Sequence, residues 1–174
     1  MVSRSAEDEI LLRCVRGGQP YEGAPIPRLS RSEPVVGAPV VSDAVTGLLW
    51  QGCDAGLAGT DCAGSGVSMD WQQALAYCEG SSWGGFTDWR LPNVKELRSL
   101  IDDHREDPRL DPGVFPSPVV ASYWSSTSAD YWYGGSVGGV EPWGGALVVP
   151  NSLGLVHTWR KLDGADVLCV RQVP

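Results

Sequence analysis

No uninterrupted apolar run in the chain approaches the roughly 20 residues that a membrane helix needs, and the opening Met1-Val2-Ser3-Arg4 has no apolar signal-peptide core. Membrane insertion by this chain is therefore not expected. Lysine is scarce, present only at Lys95 and Lys161. Acidic residues number 21 against 13 basic ones, a formal charge of -8. Phosphate binding needs clustered Lys and Arg, so this balance argues against a nucleic-acid partner. His104 and His157 are the only imidazoles, too few and too far apart in sequence to suggest a metal site or a general base. The five cysteines, Cys14, Cys53, Cys62, Cys78 and Cys169, include no CxxC pair, which removes zinc-ribbon and thioredoxin-like readings. The sequence thus offers no catalytic residue, resident metal or cofactor, and enzymatic activity is not expected.

What the chain does have is 22 Gly, 13 Pro and 8 Trp in 174 residues. That composition suits a loop-rich domain whose irregular backbone is held by cross-links and large aromatic anchors. Disulfides explain the cysteines best, and disulfides persist in oxidising compartments. The expected location is secreted or cell-surface, with the periplasm also compatible.

Residues 1–41 read as an extended arm, because the Gln19-Pro20, Ala24-Pro25, Ile26-Pro27, Glu33-Pro34 and Ala38-Pro39 steps each disfavour helix before the proline. Within it, Ile10 to Arg16 ends in the same Cys-Val-Arg that closes Val167 to Arg171. Such an echo is the mark of tandem copies, with the first segment the closing strand of an earlier one. Ile10, Leu12 and Cys14 would line one face of that strand, and an unpaired edge invites self-association through the arm. Residues 42–174 read as the domain proper.

In that domain, Thr46 to Gln51 is a short apolar strand leading into a Gly-rich loop with Cys53 and Cys62 at its two ends. Closing that loop would contribute about 2–3 kcal/mol in the chain-entropy model. A helix is expected from an N-cap at Ser68 to about Glu79, since Trp71, Ala74, Leu75 and Cys78 recur at helical spacing. Asn93 with Glu96 three residues on has capping-box spacing and starts a second helix burying Val94, Leu97, Leu100 and Ile101. Strands are expected at Tyr123 to Thr127, Gly145 to Val149, Leu155 to Thr158 and Asp166 to Arg171. Helices in the middle and strands later give an α+β class rather than a parallel βαβ sheet. Trp50, Trp71, Trp89 and Trp124 lie on these elements and read as core. Asp88 and Arg90 flank Trp89 and read as structural ion pairs or turn hydrogen bonds.

Asp88-Trp89-Arg90-Leu91-Pro92-Asn93, followed by Tyr123-Trp124-Ser125-Ser126-Thr127 and the final Cys169-Val170-Arg171, resembles the family named for the C-terminal domain of the Legionella collagen-like adhesin. The resemblance runs from about Thr46 to Arg171. It implies a C-type lectin-like fold, with two helices on small antiparallel sheets and a long irregular loop region. It also implies a disulfide from Cys78 to Cys169, and adhesion or glycan contact as precedents. Calcium-dependent lectin domains carry Glu-Pro-Asn or Gln-Pro-Asp, whereas this chain has Glu141-Pro142-Trp143. Trp143 brings no oxygen ligand to an ion that takes six to eight, so calcium near Glu141 is a secondary expectation.

The stretch Ser128 to Gly145 gathers Tyr131, Trp132, Tyr133, Glu141 and Trp143 where lectin-like folds place ligand contacts. Aromatic faces stack on sugar C–H surfaces and fill protein pockets at low entropic cost. The expected function is an extracellular binding or adhesion module for a glycan or surface protein. The alternatives are a ligand-free structural repeat of a larger envelope protein, or a receptor diversified by a retroelement.

Overall fold

A computed structural model describes residues 27–116, 121–129 and 144–173. The expectations for Ile10 to Arg16 and Cys14 lie outside the described residues. Strands β1 (Leu29–Val35), β2 (Ala38–Asp43), β3 (Leu48–Gln51) and β9 (Val170–Gln172) form an antiparallel sheet in the order β1-β2-β3-β9. Strands β6 (Ser122–Ala129), β7 (Gly145–Pro150) and β8 (His157–Arg160) form a second antiparallel sheet. A two-residue ribbon, β4 (Leu57–Ala58) with β5 (Ala63–Gly64), lies in the Gly-rich loop. With helices α1 (Trp71–Glu79) and α2 (Val94–Ser99), the chain is α+β, consistent with a C-type lectin-like arrangement.

The central strands alternate between two apolar cores, which explains why they read as unbroken apolar runs rather than alternating ones. Leu49, Trp124, Val148, Val167 and Cys169 face the core that also takes Ala74 and Cys78 of α1. Their neighbours Leu48, Trp50, Tyr123, Val149, Leu168 and Val170 face the core that takes Leu97, Leu100 and Ile101. The helices therefore cover opposite faces of one central layer. Both expected cross-links are present: Cys53–Cys62 in the Gly-rich loop and Cys78–Cys169 between α1 and the approach to β9.

Helix α2 begins as the sequence indicates. Asn93 Oδ1 accepts from the Lys95 and Glu96 amides, and Glu96 Oε2 accepts from the Asn93 amide. The helix ends at Ser99, and Leu100 and Ile101 stay buried in a tightened turn with amides bonded to Leu97 and Arg98. Helix α1 departs from expectation, with Asp70 as N-cap in place of Ser68 and a capping box completed by Gln73. The reason is tertiary: Met69 is held in a reciprocal backbone bridge with Ala165, so helical geometry cannot begin before Asp70. Trp50 and Trp124 are fully buried and Trp89 nearly so, but Trp71 is only partly buried, a correction to its expected core role.

The expected strand from Asp166 to Arg171 is a ladder strand only at its end. Upstream, its backbone groups go to different neighbours: Asp166 to Ser122 and Trp124, Val167 O to the Ala55 amide, and Cys169 O to the Gln51 amide. This segment is the trunk joining the two sheets. Strand β8 starts at His157 rather than Leu155, after a turn in which Gly154 takes φ 63°.

The boundary expected at residue 41 falls inside β2. Leu29 to Val35 and Ala38 to Asp43 form a hairpin on β3, turning at Gly37 with φ 82°. Among the described residues the Glu33-Pro34 and Ala38-Pro39 steps lie in strands, and Pro34 sits on the edge strand where the register slips between Ser32 and Val35. An edge strand tolerates proline at such a point because no ladder amide is lost there.

The hairpin is fastened by Arg28, whose guanidinium grips the fully buried carboxylate of Asp43 at 2.7 Å. Burial pushes the Asp43 pKa up, but hydrogen bonds from Arg28, the Val45 amide and Thr46 outweigh it and hold the pKa below the usual carboxylate range. A depressed carboxylate contributes stability above its unfolded pKa, and that stability is lost as pH falls through the folded value. Asp43→Asn should therefore cost about 1–2 kcal/mol at pH 7, Arg28 being partly exposed. Urea unfolding at several pH values should show the difference from wild type fading below about pH 4.

Candidate functional site

The residues 130–143 leave the scaffold from the β6–β7 hairpin, whose last register pair is Ala129 with Gly145. Tyr131, Trp132, Tyr133, Glu141 and Trp143 lie outside the described residues; the root from which they depart is within them. Strand β6 is irregular between Trp124 and Ser128, and Gly144 takes φ 65°, a left-handed conformation that glycine adopts without steric cost.

Three chain segments brace this root. Lys161 Nζ donates to Ser128 Oγ at 2.7 Å, and the same ammonium lies 4.2 Å from the Trp71 ring centroid. The Trp71 indole N–H donates to the Ser125 carbonyl at 2.8 Å, and the Trp71 amide donates to the Lys161 carbonyl. Beneath them Trp124 packs edge-on against Trp159, with centroids 6.2 Å apart and planes at 86°. Among the described residues no carboxylate pairs with Lys161. The root therefore presents an aromatic face, an ammonium and a hydroxyl beside the departing segment. Sequence reasoning missed Trp159 and Lys161 here, and named Ser128 only as the start of the candidate stretch. Their only prior signal was that Lys161 is one of two lysines in an acidic chain.

The family-like strings turn out to build the scaffold. Asp88 Oδ1 accepts from Arg171 Nε at 2.6 Å, and the Arg171 guanidinium stacks 4.3 Å from the Phe86 ring centroid. That hydrogen bond from Arg171 holds the Asp88 carboxyl below its ordinary range. Arg90 clasps Glu96 through two bonds of 2.8 and 2.7 Å, and its backbone bridges Val170 in both directions. The Pro92 carbonyl takes the Ser126 amide, and Thr127 Oγ1 takes the Val94 amide. Tyr123 OH donates to the buried Asp54 carboxylate at 3.1 Å, and burial pushes the Tyr123 pKa well up. Ser125 Oγ donates to the Leu147 carbonyl. The structural reading of Asp88 and Arg90 holds.

A cleft of about 490 Å³ lies between Pro27 to Leu29 and the turn after α2. Its carboxylates are already matched. Asp102 and Asp111 face Arg105 at 3.4 and 3.3 Å, and Asp103 faces Arg98 at 2.8 Å. Among the described residues no group of three or more His, Cys, Asp or Glu is placed to hold a metal ion. The calcium expectation at Glu141 lies outside those residues.

The family model described as the Lcl C-terminal domain matches residues 39–171. The chain belongs to the Lcl C-terminal domain family. Strand β1 and the first residue of β2 precede the matched region. Helices α1 and α2, both disulfides and the root of residues 130–143 all fall inside it. A search of curated proteins finds no match.

Proposed function

We propose that this Lcl C-terminal domain is an extracellular ligand-binding module without enzymatic activity, recognising a glycan or a surface protein through the segment Ser128 to Gly145. The observation that carries the reading is the braced root. A central layer covered on both faces holds the β6–β7 hairpin, and Lys161, Trp71 and Ser125 fix the point where residues 130–143 depart. Binding residues are disproportionately found on loops positioned by a rigid scaffold. The aromatics Tyr131, Trp132, Tyr133 and Trp143 supply stacking faces, and Glu141 a carboxylate, in the segment so positioned. Two disulfides, with no helix among the described residues long and apolar enough to cross a membrane, support a location outside the cell.

Trp143→Ala and Trp132→Ala should each weaken binding on a glycan array or to captured surface proteins, while the melting temperature stays within a few degrees of wild type. Loss of folding in both variants would identify those rings as structural anchors and remove the site. The echo of Cys169-Val170-Arg171 at Cys14-Val15-Arg16 favours a second reading, a structural repeat with no ligand of its own. Unaltered surface attachment of the parent protein after both tryptophan changes would select it.

A further inference from the structure

The two disulfides have different surroundings. Cys78 and Cys169 are both 0% exposed and join α1 to the trunk through the middle of one core. Cys53 and Cys62 belong to a small separate cluster with Leu57, under a surface loop in which Thr60 and Asp61 are exposed. The loop's own ladder consists of two register pairs, Leu57 with Gly64 and Ala58 with Ala63. None of the cluster's three buried residues belongs to either main core, Trp83 alone packing against both this cluster and the α1 core, and local openings of such a loop precede global unfolding.

A cation lies on this sulfur pair. Arg31 Nη2 sits 3.3 Å from Cys62 Sγ and 3.7 Å from Cys53 Sγ. The same guanidinium donates to the carbonyls of Gly52, Thr60 and Val114, which fix its position. Among the described residues it makes no ion pair with a carboxylate. Burial pushes its pKa down, with Glu33 and Asp61 opposing from a distance. A disulfide sulfur is a weak acceptor that gains little from such a neighbour. A thiolate gains much, because an adjacent cation stabilises the ionised form and lowers the thiol pKa. Cys62 also holds φ 51°, a left-handed conformation disfavoured for a residue with a side chain, which reopening of the loop would release.

We propose that Cys53–Cys62 is a thiol–disulfide exchange site that a dithiol reductant opens in the folded protein, with Arg31 as counter-ion to the thiolate released, while Cys78–Cys169 stays closed. Once the loop parts, the reductant's thiolate attacks Sγ of Cys62, the less buried residue of the pair at 6% exposure against 1% for Cys53. The Cys53–Cys62 bond breaks, and Cys53 leaves as a thiolate beside Arg31. The reductant's second thiol then attacks the mixed disulfide, freeing Cys62. Two electrons pass to the protein, the reductant ends as its own disulfide, and its protons are shared between the freed cysteines and solvent.

The test equilibrates the folded chain, carrying Cys14→Ser to remove a competing thiol, in buffers of graded oxidised-to-reduced dithiothreitol, followed by alkylation and peptide mass mapping. Cys53 and Cys62 should become alkylated at ratios at least about tenfold less reducing than those that open Cys78–Cys169, with near-UV circular dichroism retained. Arg31→Gln should move the Cys53–Cys62 midpoint about tenfold toward more reducing ratios and raise the freed thiol pKa by about one unit, while Arg31→Lys keeps most of the effect. Joint opening of both pairs with loss of the fold would overturn the proposal, as would an unchanged midpoint in Arg31→Gln. If that variant does not fold, a freed thiol in the Arg31 chain with a pKa at or above about 8.5 overturns it independently.

Discussion

Replacing Cys78 and Cys169 together with alanine should lower the unfolding free energy by about 3–5 kcal/mol, the largest loss expected from any cross-link in this chain. The sequence separation is 91, so in the chain-entropy model the bridge restricts far more of the unfolded ensemble than the Cys53–Cys62 bridge, whose separation is 9. The same replacement at Cys53 and Cys62 should cost about 2–3 kcal/mol. Packing adds to the difference. Cys78 lies on the buried face of α1 beside Ala74, and Cys169 meets it in that core while its neighbours Leu168 and Val170 both face the other core. Without the bond, the start of α1 is held beside the trunk by the Met69–Ala165 bridge and to β6 by the Trp71–Ser125 and Trp124–Met69 hydrogen bonds, with apolar contact besides. Urea unfolding of the two double variants against wild type reads the difference directly. Equal midpoints for the two would show that loop closure does not set their contributions.

The fold was legible in the sequence wherever a local signal coincided with the tertiary one. Asn93 and Glu96 lie three residues apart and satisfy each other's backbone, so the start of α2 depends on nothing distant. The N-cap of α1 was misplaced because Ser68 is a good cap by type, while Ala165, far along the chain, decides where the helix can begin. The β1–β2 hairpin was read as an arm because its prolines forbid helix without saying whether the extended chain is paired. That answer lies with Asp43, whose carboxylate holds Arg28, and with β3. The candidate site was legible as composition only. Its aromatics stand together in the chain, but the residues that brace its root meet across separations of 33 for Lys161 with Ser128 and 54 for Trp71 with Ser125. No periodicity encodes such a convergence. The strings that mark the family proved to be joints between elements, which is why they indicate the fold and leave the ligand open.

Trp89→Ala tests the most heavily used of those joints and should cost about 3–5 kcal/mol, as large-to-small changes at buried aromatics do. Trp89 is 2% exposed, its indole N–H donates to the Trp83 carbonyl at 3.0 Å, and Phe86 meets it edge-on at 6.3 Å. Its neighbours on either side point away to hold other elements, Asp88 to Arg171 of β9 and Arg90 to Glu96 of α2. The extended backbone makes this division possible, because successive side chains leave an extended segment on opposite faces. The ring therefore anchors a segment whose polar neighbours join β9 to α2, and its removal should loosen both clasps as well as leave a cavity. Trp89→Phe, which keeps a ring but loses the hydrogen bond to Trp83, should recover most of the packing and leave a smaller deficit. Urea unfolding of both variants, with the Arg171 and Arg90 side-chain resonances followed by NMR, separates the two contributions. A loss below about 1 kcal/mol for Trp89→Ala would mean that the clasps of Asp88 and Arg90 hold the segment without the ring.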